Sequence, residues 1–142
     1  MAPFVFLVGG FAVLRLLGLV GVDALDAWQP ALRGGLALMF LATGLAHFVQ
    51  PKRDELIAMV PPALPRPRLL VDLTGGLELV GAAGLLIPPV APYAALALVL
   101  LMLAMTPANV SAVRRRLPGA TPLPTRMALQ VVFVGAAVAA AL

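Results

Sequence analysis

The stretch Leu69-Leu70-Val71-Asp72-Leu73-Thr74-Gly75-Gly76-Leu77-Glu78-Leu79-Val80-Gly81-Ala82-Ala83-Gly84-Leu85-Leu86-Ile87 decides the fold. It is apolar over almost its whole length, and about 20 such residues cross about 30 Å of hydrocarbon as a helix. Yet it carries Asp72 and Glu78. Ionisable residues inside a span are costly and face the interior of a helix bundle rather than lipid. The stretch ends on Pro88-Pro89, and a second apolar run, Val90 to Thr106, starts at once. Two residues without backbone donors make a sharp stop, so 69–87 and 90–106 read as two helices joined by a tight turn.

The rest of the chain repeats this pattern. Apolar stretches run from Phe4 to Val22, Leu32 to Val49 and Arg126 to Leu142. The last is short but rich in the small residues that let helices pack closely in lipid. Five transmembrane helices in one domain are therefore expected. The composition agrees: 62% of residues are hydrophobic and 11% charged, against about 25% charged in a soluble domain. So few charges cannot clothe a water-facing surface, and disorder is excluded on the same ground.

The basic residues test this map. Lys52, Arg53, Arg66 and Arg68 fall in one connector, and Arg114, Arg115, Arg116 and Arg126 in another. If all five stretches cross, these eight of the ten basic residues share one side. That side is cytoplasmic, which places the N-terminus inside and the C-terminus outside. The net charge of +4 is then topological and does not point to nucleic acid. The first stretch has no basic residue before its apolar run and is interrupted by Arg15, so it reads as a retained span rather than a cleaved signal. Residues 51–68 form a Pro-rich cytoplasmic connector. Asp54 to Val60 is read there as two interfacial helical turns, and Pro61, Pro62, Pro65 and Pro67 as an extended passage. This connector is either a rigid link or a lid over a space between the helices.

Four ionisable residues lie within spans: Arg15, His47, Asp72 and Glu78. At 1.5 Å of rise per residue, His47 and Asp72 are level, each about 4–5 Å from the cytoplasmic face. Glu78 lies about 13 Å in and Arg15 about 17 Å in, within reach of a long side chain. Two pairs are therefore expected, His47 with Asp72, and Arg15 with Glu78 as a structural ion pair. Thr74 shares a helix face with Glu78, and Asn109 and Gln130 bring further polar groups to the cytoplasmic half. Around Leu36, Leu85, Leu98 and Val138 the opposite half is apolar. This gradient suits an amphipathic ligand with its head among His47, Asp72, Thr74, Glu78, Asn109 and Gln130. With no cysteine and one histidine, neither a disulfide nor a metal site of the thiolate or multi-histidine kind is expected.

The run Gly44-Leu45-Ala46-His47-Phe48-Val49-Gln50-Pro51 resembles the histidine-bearing helix end of the DoxX family of small bacterial membrane proteins. The resemblance continues through Met59-Val60-Pro61-Pro62-Ala63-Leu64-Pro65, Thr74-Gly75-Gly76-Leu77-Glu78, Gly84-Leu85-Leu86, Pro107-Ala108-Asn109-Val110 and Gln130. It covers roughly residues 32 to 142. It implies an all-α, DoxX-like four-helix transmembrane bundle, here with one extra N-terminal transmembrane helix, in the bacterial plasma membrane. It further implies that His47 and Glu78 occupy the family's intramembrane polar positions and Asn109 the polar end of the next helix. An association with quinone-linked membrane oxidoreductases follows from the same resemblance.

The function expected is that of a quinone- or lipid-interacting subunit of a membrane redox system. His47 and Asp72 would hydrogen-bond a quinone carbonyl, and electrons would come from a partner oxidoreductase subunit. No covalent cofactor is expected; membrane lipids and a second copy of the chain are the other expected partners. A non-catalytic binder or carrier of a small apolar molecule, and a structural subunit of a membrane complex, are the alternatives.

Overall fold

A computed structural model describes residues 2–142. Six α-helices account for most of the chain: α1 (Ala2–Leu19), α2 (Trp28–Ala46), α3 (Lys52–Met59), α4 (Pro67–Leu85), α5 (Ala91–Arg114) and α6 (Leu123–Ala141). A short 3-10 turn, Asp23–Leu25, joins α1 to α2, and no strand occurs among the described residues. Each expected apolar stretch is helical, the α4–α5 turn falls at Pro88-Pro89, and α3 supplies the short connector helix.

Helices α2, α4, α5 and α6 close a ring, α1 packs along the outside of α2, and α3 lies against the ends of α4 and α5. Leu36, Met39, Leu85 and Leu98 are the largest fully enclosed side chains and form the centre with Phe40 and Met102. The outer faces are as apolar as the core: Val131 is 72% exposed, Val80 70% and Leu100 68%. Such a continuous greasy exterior is not a water-facing surface. Helices α1, α5 and α6 are long and apolar enough to cross a membrane. Helices α2 and α4 owe their lower hydropathy to Gln29 and Arg33, and to Arg68, Asp72 and Glu78.

The ends differ from the sequence expectation for local reasons. Helix α1 stops at Leu19 because Gly21 takes φ 124, and Gly18 is packed against the backbone of Leu25 and Asp26. A side chain at Gly18 would collide with that backbone, so the chain turns back only here. Helix α4 starts at Pro67, whose missing donor costs nothing in the first turn. Helix α5 does not end near Thr106 but continues through Pro107 to Arg114. A proline inside a helix disturbs the preceding turn. There the carbonyl of Met102 accepts both Thr106 Oγ1 at 3.1 Å and Gln130 Nε2 at 3.0 Å.

Three arginines cap helix C-termini, whose last carbonyls have no partner within the helix. Arg33 Nε on α2 donates to the Ala140 carbonyl of α6 at 2.9 Å, where Gln29 also donates to Ala139. Arg53 Nη1 donates to the His47 carbonyl at the end of α2 at 3.0 Å. Arg115 Nη2 donates to the carbonyls of Ala58 and Val60 at the end of α3, at 2.6 and 3.2 Å. Arg33 and Gln29 thus tie the first turns of α2 to the last turn of α6.

Arg33→Met keeps the aliphatic stem and deletes the donor, so it is expected to cost about 1.5 kcal/mol. Thermal unfolding in detergent should show a lower midpoint for it, whereas Arg68→Met, at an exposed position, should fall within about 0.5 kcal/mol of wild type. Equal midpoints for both variants would contradict the capping role.

Candidate functional site

Among the described residues the buried polar side chains are His47, 3% exposed, and Glu78, 4% exposed. They meet across the α2–α4 seam, and two glycines allow it. A Cβ on Gly75 would lie 2.5 Å from His47 Cβ. A Cβ on Gly44 would lie 2.9 Å from Leu79 Cδ2 and 3.2 Å from Glu78 Cβ. The 2.5 Å distance at Gly75 is too short for any real side chain, and at Gly44 a Cβ would force Leu79 and Glu78 aside, so glycine lets the helices approach this far. The seam runs antiparallel: His47 faces Gly75, Gly44 faces Glu78 and Leu79, and further along Leu41 and Leu79 line a common groove.

Within the seam His47 Nδ1 lies 2.8 Å from the Thr43 carbonyl. A carbonyl only accepts, so Nδ1 carries a hydrogen and donates, which fixes the ring orientation. Nε2 is thereby turned toward Glu78 Oε1, 3.9 Å away. Thr43 Oγ1 donates to the other carboxyl oxygen, Glu78 Oε2, at 2.5 Å. A separation of 3.9 Å is too long for a hydrogen bond. Among the described residues neither His47 Nε2 nor Glu78 Oε1 has a hydrogen-bond partner. Two polar atoms on enclosed side chains therefore face each other, each short of one partner, and one oxygen in hydrogen-bond reach of both would complete them.

The six expected ligand residues do not converge on a single chamber. Asp72 is not paired with His47: it accepts a hydrogen bond from Arg53 Nη1, which also holds the His47 carbonyl. His47 lies just past the end of α2 as its C-cap residue, so its ring descends along the seam to Glu78 while Asp72 stays at the half-exposed rim. Thr74 Oγ1 is spent on its own helix, on the Leu70 and Val71 carbonyls. Asn109 Oδ1 accepts from Arg126 Nη1 at 3.2 Å, and Gln130 Nε2 donates to Thr106 Oγ1 at 3.0 Å. Those contacts staple α5 to α6, away from the histidine.

The expected Arg15–Glu78 ion pair is also corrected. Arg15 Nη1 lies 3.4 Å from Asp26 Oδ1 in an exposed contact, because α1 packs along α2 and not against the helix that carries Glu78. Thr43 and Arg53 were not singled out by the sequence reading. The spacing of four between Thr43 and His47 was the available signal for Thr43; nothing periodic links Arg53 to His47 across the bend at Gln50-Pro51.

Continuing along the seam from Leu79 is an apolar groove of about 620 Å³ between three helices. Gly9 and Val13 of α1, Ala37 and Leu41 of α2, and Leu79 and Ala83 of α4 are among its walls. No cluster of three or more His, Cys, Asp or Glu side chains suited to a metal ion occurs among the described residues.

Residues 36–141 match the family described as "Domain of unknown function (DUF8561)", and the chain belongs to that family. The match takes in α4 to α6 and most of α2, with both buried side chains; α1 lies outside it. No curated protein and no solved structure matches the chain.

Gly75 and Gly76 make a sharp pair of tests. Nothing lies within 4 Å of a Cβ on Gly76, so Gly76→Ala should gain up to about 1 kcal/mol of helix propensity. Gly75→Ala should instead lose about 1–3 kcal/mol, since its methyl forces α4 off His47. Thermal unfolding of the two variants should therefore move in opposite directions; a stabilised Gly75→Ala would contradict the close packing.

Proposed function

We propose that this DUF8561 member is a five-span integral membrane protein of DoxX-like architecture in the bacterial plasma membrane, N-terminus cytoplasmic and C-terminus outside, and that it receives the head of a quinone between His47 and Glu78 as a subunit of a membrane redox system. The carrying observation is the pair of unpartnered atoms 3.9 Å apart, each on a side chain about 95% enclosed. Buried polar groups are completed by hydrogen bonds, and a site left one bond short on each side is built for a visiting group. The residues that carry the DoxX resemblance include both members of the pair.

The local chemistry suits an oxygen that changes between acceptor and donor. A quinone presents a carbonyl oxygen when oxidised and a hydroxyl when reduced. With Nδ1 hydrogen-bonded to Thr43, His47 offers the Nε2 lone pair to a hydroxyl hydrogen. Glu78 offers a carboxyl proton to a carbonyl oxygen when protonated, and accepts from a hydroxyl when ionised. Thr43 Oγ1 holds the second carboxyl oxygen in place through either state. The pair can thus give or take a proton at the ligand oxygen without moving a helix, while electrons come from a partner subunit. Arg53 and Asp72 close the cytoplasmic rim above it. The apolar groove favours one second reading, a non-catalytic binder of a small apolar molecule, in which a lipid co-purifies and no probe responds to His47.

Two measurements check this reading. A quinone analogue titrated into purified protein should bind about tenfold or more weakly to His47→Ala and to Glu78→Gln, the equivalent of one lost hydrogen bond to a buried partner. Thr74→Val, whose hydroxyl is spent on its own helix, should bind as wild type does. Unchanged affinity in the first two variants removes the pair from the proposal. For the topology, the cysteine-free chain allows single cysteines at Ala24 and Gly119. A membrane-impermeant maleimide added to intact cells should label position 24 and spare position 119; the reverse pattern would contradict the orientation.

A further inference from the structure

From the groove beside the pair we infer the shape of the ligand: a polar oxygen head carrying a linear hydrocarbon tail, with the tail laid along the α2–α4 seam under α1. This rests on the reading of His47 and Glu78 as the head site. Leu79 joins the two regions. Its side chain packs against Gly44, the glycine that also backs Glu78, and the same side chain forms the near wall of the groove. The groove thus begins one residue from Glu78 on α4. It continues for about 10 Å, the rise from Leu79 to Leu86, with Gly34 to Leu41 opposite on the antiparallel α2.

Every side chain lining the groove is apolar, and Gly9 contributes bare backbone surface. A channel with no polar side chain along its walls repels a second head group and accepts hydrocarbon. Its volume of about 620 Å³ is in the range of pockets that hold a whole small ligand. Helix α1 makes it: without Gly9 and Val13 the α2–α4 surface is an open face. Since α1 lies outside the residues that match DUF8561, tail binding is assigned to a helix added to the shared bundle. The occupant is therefore the hydrocarbon tail of the quinone whose head lies at His47 and Glu78, held along its length rather than left in bulk lipid.

Gly9 supplies the test. A Cβ built there has nothing within 4 Å, so Gly9→Leu places a side chain at the groove without disturbing α1–α2 packing. Ala83→Phe, at an exposed wall position on the opposite side, is the second variant. Binding of a tail-less quinone and of a decyl-tailed quinone with the same head is measured on the full-length protein in detergent. In wild type the decyl tail should tighten binding by at least about tenfold. In both variants that advantage should shrink to about twofold or less, with the tail-less quinone bound as in wild type. A full tail advantage in both variants overturns the groove assignment and leaves the head site standing. Binding of neither quinone to wild type overturns both. A phospholipid that stays on the wild-type protein at saturating quinone and is lost in Gly9→Leu shows that the groove belongs to bilayer lipid, and also overturns the inference.

Discussion

The structure turns on how closely α2 and α4 approach. Two ionisable side chains occupy one helix seam with a threonine hydroxyl as their nearest polar company, and Gly44 and Gly75 let the two helices close on them. Burial of such groups costs several kcal/mol each unless they are completed by hydrogen bonds. The remaining geometry follows from meeting part of that cost. Thr43 serves both partners at once, its carbonyl on the histidine and its hydroxyl on the glutamate. Arg53 fixes the carbonyl of His47 from outside and ties it to Asp72. One bond is left unmade on each side of the 3.9 Å gap, and the proposed ligand oxygen would supply both.

Arginine does a second job here. The clustering of basic residues in two connectors is visible in the sequence, but the contacts explain which ones matter within the fold. Arg33, Arg53 and Arg115 each end a helix that would otherwise present bare carbonyls. In a chain with 11% charged residues, hydrogen-bonding capacity is scarce. Long guanidinium side chains reach from one element to close another, which also fastens α3 to the end of α5. The same economy accounts for Gln130, which reaches from α6 to the carbonyl loaded by the turn before Pro107.

Helices were legible because apolar length and prolines mark them, and His47 and Glu78 were legible because an ionisable group in such a stretch is conspicuous. Partners were harder. Rise per residue places a side chain along the helix axis but says nothing of which neighbour it faces. Arg15 and Glu78 therefore matched in depth while lying on helices that hardly touch, and His47 matched Asp72 in level while its ring pointed past it. Neighbour order is set by close contacts at Gly35, Gly44, Gly75 and Gly84, and a glycine-rich sequence does not reveal which glycines make them. Thr43 was concealed by ordinariness: threonine in a helix usually returns its hydroxyl to its own backbone, as Thr74 does.

The central claim is that His47 holds Nδ1–H on Thr43 and keeps Nε2 open for a ligand oxygen. Because the chain has one histidine, nitrogen NMR on protein labelled with 15N-histidine reads that ring alone. Titration with a quinone analogue should leave Nδ1 as a protonated, hydrogen-bonded nitrogen and should shift Nε2 in step with occupancy. A hydrogen resident on Nε2 with Nδ1 bare, or an Nε2 signal unmoved at saturation, would contradict the account.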